Sequence, residues 1–274
     1  MLIPLEDLFN DVIAKSMRGL GINDAELAAR SGASVEDIAD AKSGKVDDLV
    51  LRKIAPHLQL EGLSLVAMAH NEWRPIPVNV SGLEQFNTTY HDMTVNAYLV
   101  WDAETKNAVA FDTGADATPM IHFIQKKGLN LSLIFLTHTH PDHIMDLAKL
   151  SADGAVTAFV HDKEPCPGAK TFKLSDTEAW ESGGLRIEAR STWGHSKGGI
   201  TYLVSGLKHP IAIVGDALFA SSMGGGVVSY ADALATNRKE IFTLPDSTVI
   251  CPGHGPMTTV GEEKAHNPFY PEFK

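Results

Sequence analysis

Apolar residues recur with one period at the start of the chain and with another further on, and the change falls near residue 73. Leu5, Leu8, Val12 and Ile13 sit at helical spacing. Asp24 is placed to cap a short helix holding Leu27 and Ala28, and Gly32 and Ser34 punctuate the chain after it. Val35 to Ala41 predicts another short helix, closed by Gly44, and Leu49, Ile54 and Leu58 mark a fourth. No strand-like alternation interrupts this stretch. At Trp73-Arg74-Pro75-Ile76-Pro77, two prolines in three residues disfavour helix and predict a linker or extended segment. The apolar, β-branched runs Val95 to Trp101 and Ala108 to Phe111 then predict strands separated by a polar turn. A helix over Thr118 to Lys127, closed by Gly128, and a strand over Leu131 to Leu136 come next, and Pro141 suits the first turn of another helix. Further strands are predicted at Val156–Val160, Leu185–Ala189, Ile200–Val204, Ile211–Val214 and Thr248–Ile250, with a helix around Tyr230–Thr243. The pattern predicts a helical domain over 1–72 and an α/β domain of helices packed on sheets over 73–274.

The densest chemistry directly follows the strand at Leu131 to Leu136. It reads Thr137-His138-Thr139-His140-Pro141-Asp142-His143. Residues two apart on extended chain share a side, so His138 and His140 can address one ion. Pro141 turns the chain into a helix, which lets Asp142 and His143 address a neighbouring point. Three histidines and a carboxylate form a ligand set suited to a borderline metal. Three more candidates stand beside glycine: His195 in Gly194-His195, Asp216 in Gly215-Asp216, and His254 in Gly253-His254-Gly255. Glycine beside a ligand lets backbone approach an ion closely. Cys251 lies three residues before His254, but a small buried residue ending a strand explains it better than a ligand does.

With its spaced His, Asp and His downstream, the H-x-H-x-D-H motif resembles the metallo-β-lactamase superfamily. Phe111-Asp112-Thr113-Gly114, Gly215-Asp216-Ala217-Leu218-Phe219 and Pro252-Gly253-His254-Gly255-Pro256 resemble glyoxalase II-like hydrolases of the short bacterial type, hydroxyacylglutathione hydrolase-like. So does the ending Gly261 to Phe269. The resemblance covers roughly residues 75–274. It implies an αβ/βα sandwich holding two divalent metal ions. One takes His138, His140 and His195, the second takes Asp142, His143 and His254, and Asp216 bridges them. Asp112 stands behind the ligands to fix an imidazole tautomer. The resemblance further implies a metal-bound hydroxide attacking a thioester or small acyl ester, with Asp142 as the catalytic group that orients it and relays a proton. Zinc suits the donors, with iron and manganese as alternatives. Lys197, Met223 and Gly224 are candidate substrate contacts. Glycine stands near Gly225 where long glyoxalase II enzymes carry a basic residue that helps hold glutathione, and the sequence ends twenty residues after His254; both departures leave glutathione specificity open.

Bulk composition narrows the alternatives. Of 274 residues, 44% are hydrophobic and 21% charged, as in an ordinary globular protein, and neither a membrane-spanning run nor a signal peptide is legible, so a cytoplasmic location is expected. Glu26-Leu27-Ala28-Ala29-Arg30-Ser31-Gly32-Ala33-Ser34, onward through Ile38, Gly44 and Leu49, resembles a Cro/repressor-type helix-turn-helix. Its reading helix, however, would carry Glu36, Asp37 and Asp40. Residues 1–70 hold 7 Lys and Arg against 11 Asp and Glu, within a whole-chain charge of -11, so phosphate would be repelled and nucleic-acid binding is not expected. A helical unit that forms a homodimer or packs beside the active site fits better. An iron-dependent persulfide dioxygenase and a metal-responsive DNA-binding regulator are the competing readings.

Overall fold

The computed structural model describes residues 3–176 and 179–274. Its described residues open with helices α1 (Phe9–Leu20), α2 (Asp24–Ser31), α3 (Val35–Lys42), α4 (Asp48–Ile54) and α5 (Gly62–Ala69). The α1 helix buries Val12, Ile13, Ser16 and Met17 along one face, and Gly21 closes it in a left-handed turn. The cap of α2 is Asn23 rather than Asp24: Glu26 N–H donates to the Asn23 side chain at 3.0 Å, and Glu26 accepts from Asn23 N–H at 3.1 Å. This reciprocal pair needs the capping side chain three residues before the glutamate, which makes Asp24 the first helical residue. The helix expected through Leu49, Ile54 and Leu58 stops at Ile54 and tightens into a 3-10 turn over 55–58, where Pro56 lacks the N–H that would continue it. Leu49 is exposed, and Leu51 and Ile54 form the buried face instead. The α5 helix was not legible because Gly62–Ala69 is apolar nearly all round and shows no helical period.

The first sheet is built from β1 (Leu83–Tyr90), β2 (Met93–Trp101), β3 (Asn107–Phe111), β4 (Asn130–Phe135), β5 (Thr157–His161) and β6 (Ala169–Phe172), side by side in that order. Helices α6 (Thr118–Lys127), α7 (Pro141–Ile144) and α8 (Leu147–Leu150) connect its parallel half. The second sheet contains β7 (Trp180–Ser182), β8 (Leu185–Ser191), β9 (Ile200–Ser205), β10 (Ile211–Gly215), β11 (Val249–Pro252) and β12 (Thr258–Thr259), in the order β12-β11-β10-β9-β8-β7. Helix α9 (Tyr230–Glu240) crosses between β10 and β11, which pair parallel, and α10 (Val260–His266) follows β12.

The strands that the apolar pattern does not predict, β1, β6, β7 and β12, are the four edges of the two sheets. An edge strand has one pairing side and often a wet face, so Leu83–Tyr90 reads as Glu, Gln, Asn and Thr rather than as an apolar run. Between the sheets lie Val100, Phe111, Phe135, Tyr202, Ile213 and Cys251. Burying each large side chain of this set contributes roughly 1.5–3 kcal/mol. Ile134, Leu136, Met120 and Leu150 close the outer face of the first sheet under α6 and α8. The outer face of the second sheet is closed by α9 and by the N-terminal helices: Val12, Ile13 and Leu58 share a core with Val214, Leu218, Tyr230, Phe242 and Tyr270. The result is an αβ/βα sandwich whose helical N-terminal segment is packed into one outer layer. Among the described residues, no helix is long and apolar enough to cross a membrane.

Candidate metal centre

Four chain segments meet at one edge of the sandwich. The end of β4 delivers His138 and His140, and α7 begins with Pro141 and presents Asp142 and His143. The β8–β9 loop delivers His195, and Asp216 and His254 follow the ends of β10 and β11. Short backbone bonds lock the convergence: Gly253 N–H donates to Gly215 O at 2.8 Å, Asn96 N–H to Gly253 O at 2.7 Å, and Ile200 N–H to Thr137 O at 2.9 Å. Position 253 tolerates no side chain, since a Cβ there would lie 2.1 Å from Asp216 Oδ1 and 2.7 Å from His143 Cε1.

The seven side chains expected from the sequence are all brought together. One group comprises His138, His140, His195 and Asp216, the other Asp142, His143 and His254, and within each group the donor atoms lie within 4.8 Å of one another. Asp216 faces both groups. Its Oδ2 lies 3.3 Å from His195 Nε2 and 3.5 Å from His254 Nε2, while Oδ1 lies 3.3 Å from His143 Nε2. The partners on the far side of each ring set the tautomers. His143 Nδ1–H donates to Asp112 Oδ2 at 2.8 Å, His254 Nδ1–H to Thr94 O at 2.6 Å, and His195 Nδ1–H to Gly225 O at 3.0 Å. Thr137 Oγ1 donates to Asp112 Oδ2 at 2.8 Å and therefore accepts from His138 Nδ1–H at 3.0 Å. In each of these four rings Nδ1 is held from behind, so that Nε2 is the nitrogen aimed at the centre.

That arrangement suits a cation better than it suits a proton. His138 Nε2 and His195 Nε2 both lie 3.0 Å from His140 Nδ1. One proton on His140 can satisfy only one of them, whereas a cation at their centre satisfies all three. His143 Nε2 and Asp216 Oδ1 are buried without a hydrogen-bond partner among the described residues. Such orphaned groups are costly unless something binds them. The donors fit two divalent ions, one per group, with Asp216 facing both.

Electrostatics divides the groups. Burial holds His138 well below the usual histidine range, and the neighbouring His143 adds to it. Burial also lowers His195, outweighing Asp216. Both are therefore neutral, as metal ligands must be. In the other group, burial opposes charge on His143, but Asp216 and Asp112 outweigh it and push the imidazole up to about 10. His254 is pushed up to about 11, burial being outweighed by Asp216 and Asp142. For Asp216 itself, burial is outweighed by His143 and His254, which hold it well below the usual carboxylate range. This corner of the site attracts positive charge.

Asp112 accepts from Thr137 N–H at 2.7 Å as well as from Thr137 Oγ1 and His143. Lys197 is exposed on the His195 loop. Met223 and Gly224 are a correction to the expected substrate contacts: Met223 is buried in the helical layer beside Tyr270, and a Cβ on Gly224 would lie 1.9 Å from Asp216 O. Both sit behind the ligands because the chain after Asp216 folds back against it. Sequence reasoning missed Thr137, Glu164 and Asn96. Glu164 accepts from Thr139 Oγ1 at 2.6 Å and Gly198 N–H at 2.9 Å, tying the histidine motif to the His195 loop. Nothing local marks Glu164. Asn96 was findable as the one amide inside an apolar strand, and its Nδ2 donates to Pro252 O and Gly255 O beside His254.

Comparison with known proteins agrees with this geometry. Hydroxyacylglutathione hydrolase GloC of Haemophilus influenzae is 30% identical over 197 residues, which span 64% of this chain and 92% of that protein. The solved BLEG-1 B3 metallo-beta-lactamase is 26% identical with a TM-score of 0.57, covering 68% of this chain and 98% of that one. TTHA1623, solved in a di-iron-bound form, is 26% identical with a TM-score of 0.53, covering 67% and 99%. Residues 92–254 match the family model of the Metallo-beta-lactamase superfamily, and with the fold and the seven converged side chains this places the chain in that superfamily.

Proposed function

We propose that the protein is a di-metal hydrolase of thioesters or small acyl esters, acting in the glyoxalase II-like manner. The observation that carries the reading is the pair of donor groups sharing Asp216, with the far nitrogen of His138, His143, His195 and His254 anchored so that Nε2 faces inward. His138, His140 and His195 would hold one ion and Asp142, His143 and His254 the other, with Asp216 placed between the two groups. When bound, two divalent ions supply water acidic enough to ionise near neutral pH and a Lewis acid for the substrate carbonyl. Zinc suits this nitrogen-rich set, and the di-iron form of a structural relative makes iron the first alternative.

Asp142 belongs to the second group, with its Oδ2 3.3 Å from His254 Nε2. Burial would raise it, but His254 and His143 hold it below the usual carboxylate range, so it is ionised and able to orient water and pass a proton. In the overall step, the water oxygen bonds to the acyl carbon, the carbon–sulfur bond breaks, and the departing thiolate takes up the proton. Lys197 is free to meet an anionic group on the substrate. The name of the Haemophilus relative supports an acyl-thioester substrate.

Residues 1–72 we assign to a helical domain that does not read DNA. Its α3 carries Glu36, exposed, and Asp37 and Asp40, half-buried, and Lys42 and Lys45 are paired with Asp24 and Asp40 at 2.7 and 2.6 Å. Both cysteines are free, which fits a reducing cytoplasm. The test is elemental analysis of purified protein followed by a panel of acyl-glutathione, acyl-CoA and simple ester substrates. Two metals per chain and thioester turnover lost in His138→Ala are expected. A metal-loaded protein that cleaves none of the panel refutes the reading. One iron per chain with oxygen uptake on a persulfide would move the assignment to the dioxygenase.

A further inference from the structure

We propose that Asp7 and Lys15, from the N-terminal helical layer, are positioning residues of the metal centre, acting through the loop that follows Asp216 to set His195. This rests on the di-metal reading above, but it concerns residues outside the ligand set.

Asp7 is buried, and its Oδ2 accepts from Lys15 Nζ and from Ser222 Oγ, the latter at 2.5 Å. Lys15 Nζ also donates to Met223 O at 2.8 Å and lies 5.1 Å from the centroid of the Phe219 ring. The pair therefore grips three residues of the segment 219–223. The segment cannot shift freely from there. Gly224 is pressed against Asp216 O and His195 Nδ1, where a Cβ would lie at 1.9 and 3.0 Å, and Gly225 O is the acceptor that fixes the His195 ring. Phe219 meets His254 edge-on with centroids 5.5 Å apart. Ser221 holds a left-handed φ of 62°, a conformation that needs outside support in a residue with a Cβ. Glu6, one residue before Asp7, brings Oε2 to 3.9 Å from His254 Nδ1.

A half-buried Lys–Asp pair contributes little net stability once desolvation is counted, yet it fixes geometry because each charge has few alternative partners. Here Met223 O and Ser222 Oγ are the fixed objects, and Gly225 O is two residues on. Loosening the grip lets the His195 acceptor move, and an imidazole without its far-side partner is a poorer and worse-aimed ligand.

The experiment compares the full chain with the near-isosteric, charge-free Asp7→Asn/Lys15→Met variant, with Lys15→Gln as a milder change that keeps a donor. Asp24→Asn/Lys42→Met, which removes the exposed pair elsewhere in the layer, is the control. Zinc affinity is measured by chelator competition and the ligand field by the visible spectrum of the cobalt-loaded protein. Zinc affinity roughly 10-fold lower is expected for the double variant, the loss typical of outer partners of metal ligands. A changed cobalt spectrum, a smaller loss for Lys15→Gln and no change in the control should accompany it. In a His195→Ala background the same double change should have no further effect on zinc affinity, which separates action through His195 from general loosening. If the parent binds two metals and the folded variants bind them equally tightly with an unchanged spectrum, the proposal is wrong and the di-metal reading stands. If the effect persists in the His195→Ala background, the route through His195 is wrong. If the parent binds no metal, the underlying reading has failed instead.

Discussion

Glu263 on α10 is fully buried, and a change of one atom there should make the stability of this protein depend differently on pH. Its Oε2 accepts from Ser221 N–H at 3.0 Å and Asn267 Nδ2 at 2.8 Å, and its Oε1 accepts from Thr258 Oγ1 at 2.9 Å. Burial pushes the carboxyl from 4.5 up to about 7, against the pull of those hydrogen bonds. The folded state therefore prefers the protonated acid more than the unfolded chain does. The stabilisation from that proton is complete below the unfolded value near 4.5 and is lost as pH rises to about 7. At about 1.4 kcal/mol per unit, the loss is on the order of 3 kcal/mol. Glutamine in place of Glu263 mimics the neutral acid: its carbonyl can accept from Ser221 and Asn267, and its amide can donate to Thr258 Oγ1. Glu263→Gln should thus match the parent near pH 4.5 and exceed it by about 3 kcal/mol at pH 8, an increase of roughly 6–12 °C in Tm for a chain of this size. Urea unfolding of both proteins at each pH, under the same metal conditions, gives the difference directly and cancels the titration of the metal site. A difference that stays constant from pH 4.5 to 8, or a parent more stable than the variant at pH 8, would refute the reasoning.

Other substitutions probe the centre itself. Asp112→Asn removes the acceptor shared by Thr137 N–H, Thr137 Oγ1 and His143, and should weaken metal binding about 10–100-fold in a chelator titration; an unchanged affinity would show that the carboxylate does not steer His143. Gly253→Ala forces a Cβ to within 2.1 Å of Asp216 Oδ1. It should lower metal content below one ion per chain while costing about 1–3 kcal/mol of stability, so retention of both ions by elemental analysis contradicts the close approach. Stripping the metals with a chelator should lower stability by about 4 kcal/mol if they are normally bound at a thousandfold excess over Kd, with recovery on adding zinc, and a melting curve indifferent to both steps counts against a structural metal pair. An electrophoretic mobility assay at low salt should show no retardation of duplex DNA by the full chain, because α3 carries Glu36, Asp37 and Asp40 and the chain has a net charge of -11; a sequence-selective shift would overturn the assignment of residues 1–72 proposed above.

The amino-acid sequence named the residues that the fold brings together in the candidate metal centre. His138, His140, Asp142 and His143 fall within six residues, so local chain geometry alone predicts that they point together, and Gly194, Gly215 and Gly253 mark the remote partners as places of close backbone approach. Central strands and capped helices were legible for the same reason: Val95–Trp101 and Ile211–Val214 are buried on both faces and read as apolar runs, whatever lies around them. Edge strands were not legible, because Leu83–Tyr90 becomes a strand only by pairing with β2.

What tertiary structure alone decided depends on contacts between residues far apart in the chain. Asp7 meets Ser222 across 215 positions, and no local pattern distinguishes it from any other acid near a helix start. Met223 reads as a loop residue open to substrate until the helical layer closes over it, and nothing in the sequence singles out Glu263 until Ser221, Thr258 and Asn267 surround it. Residue type and short spacing fix which chemistry a chain can perform. Burial, partner choice and the pKa of a side chain are set by whatever the rest of the fold packs against it, and that information lies in no single stretch of sequence.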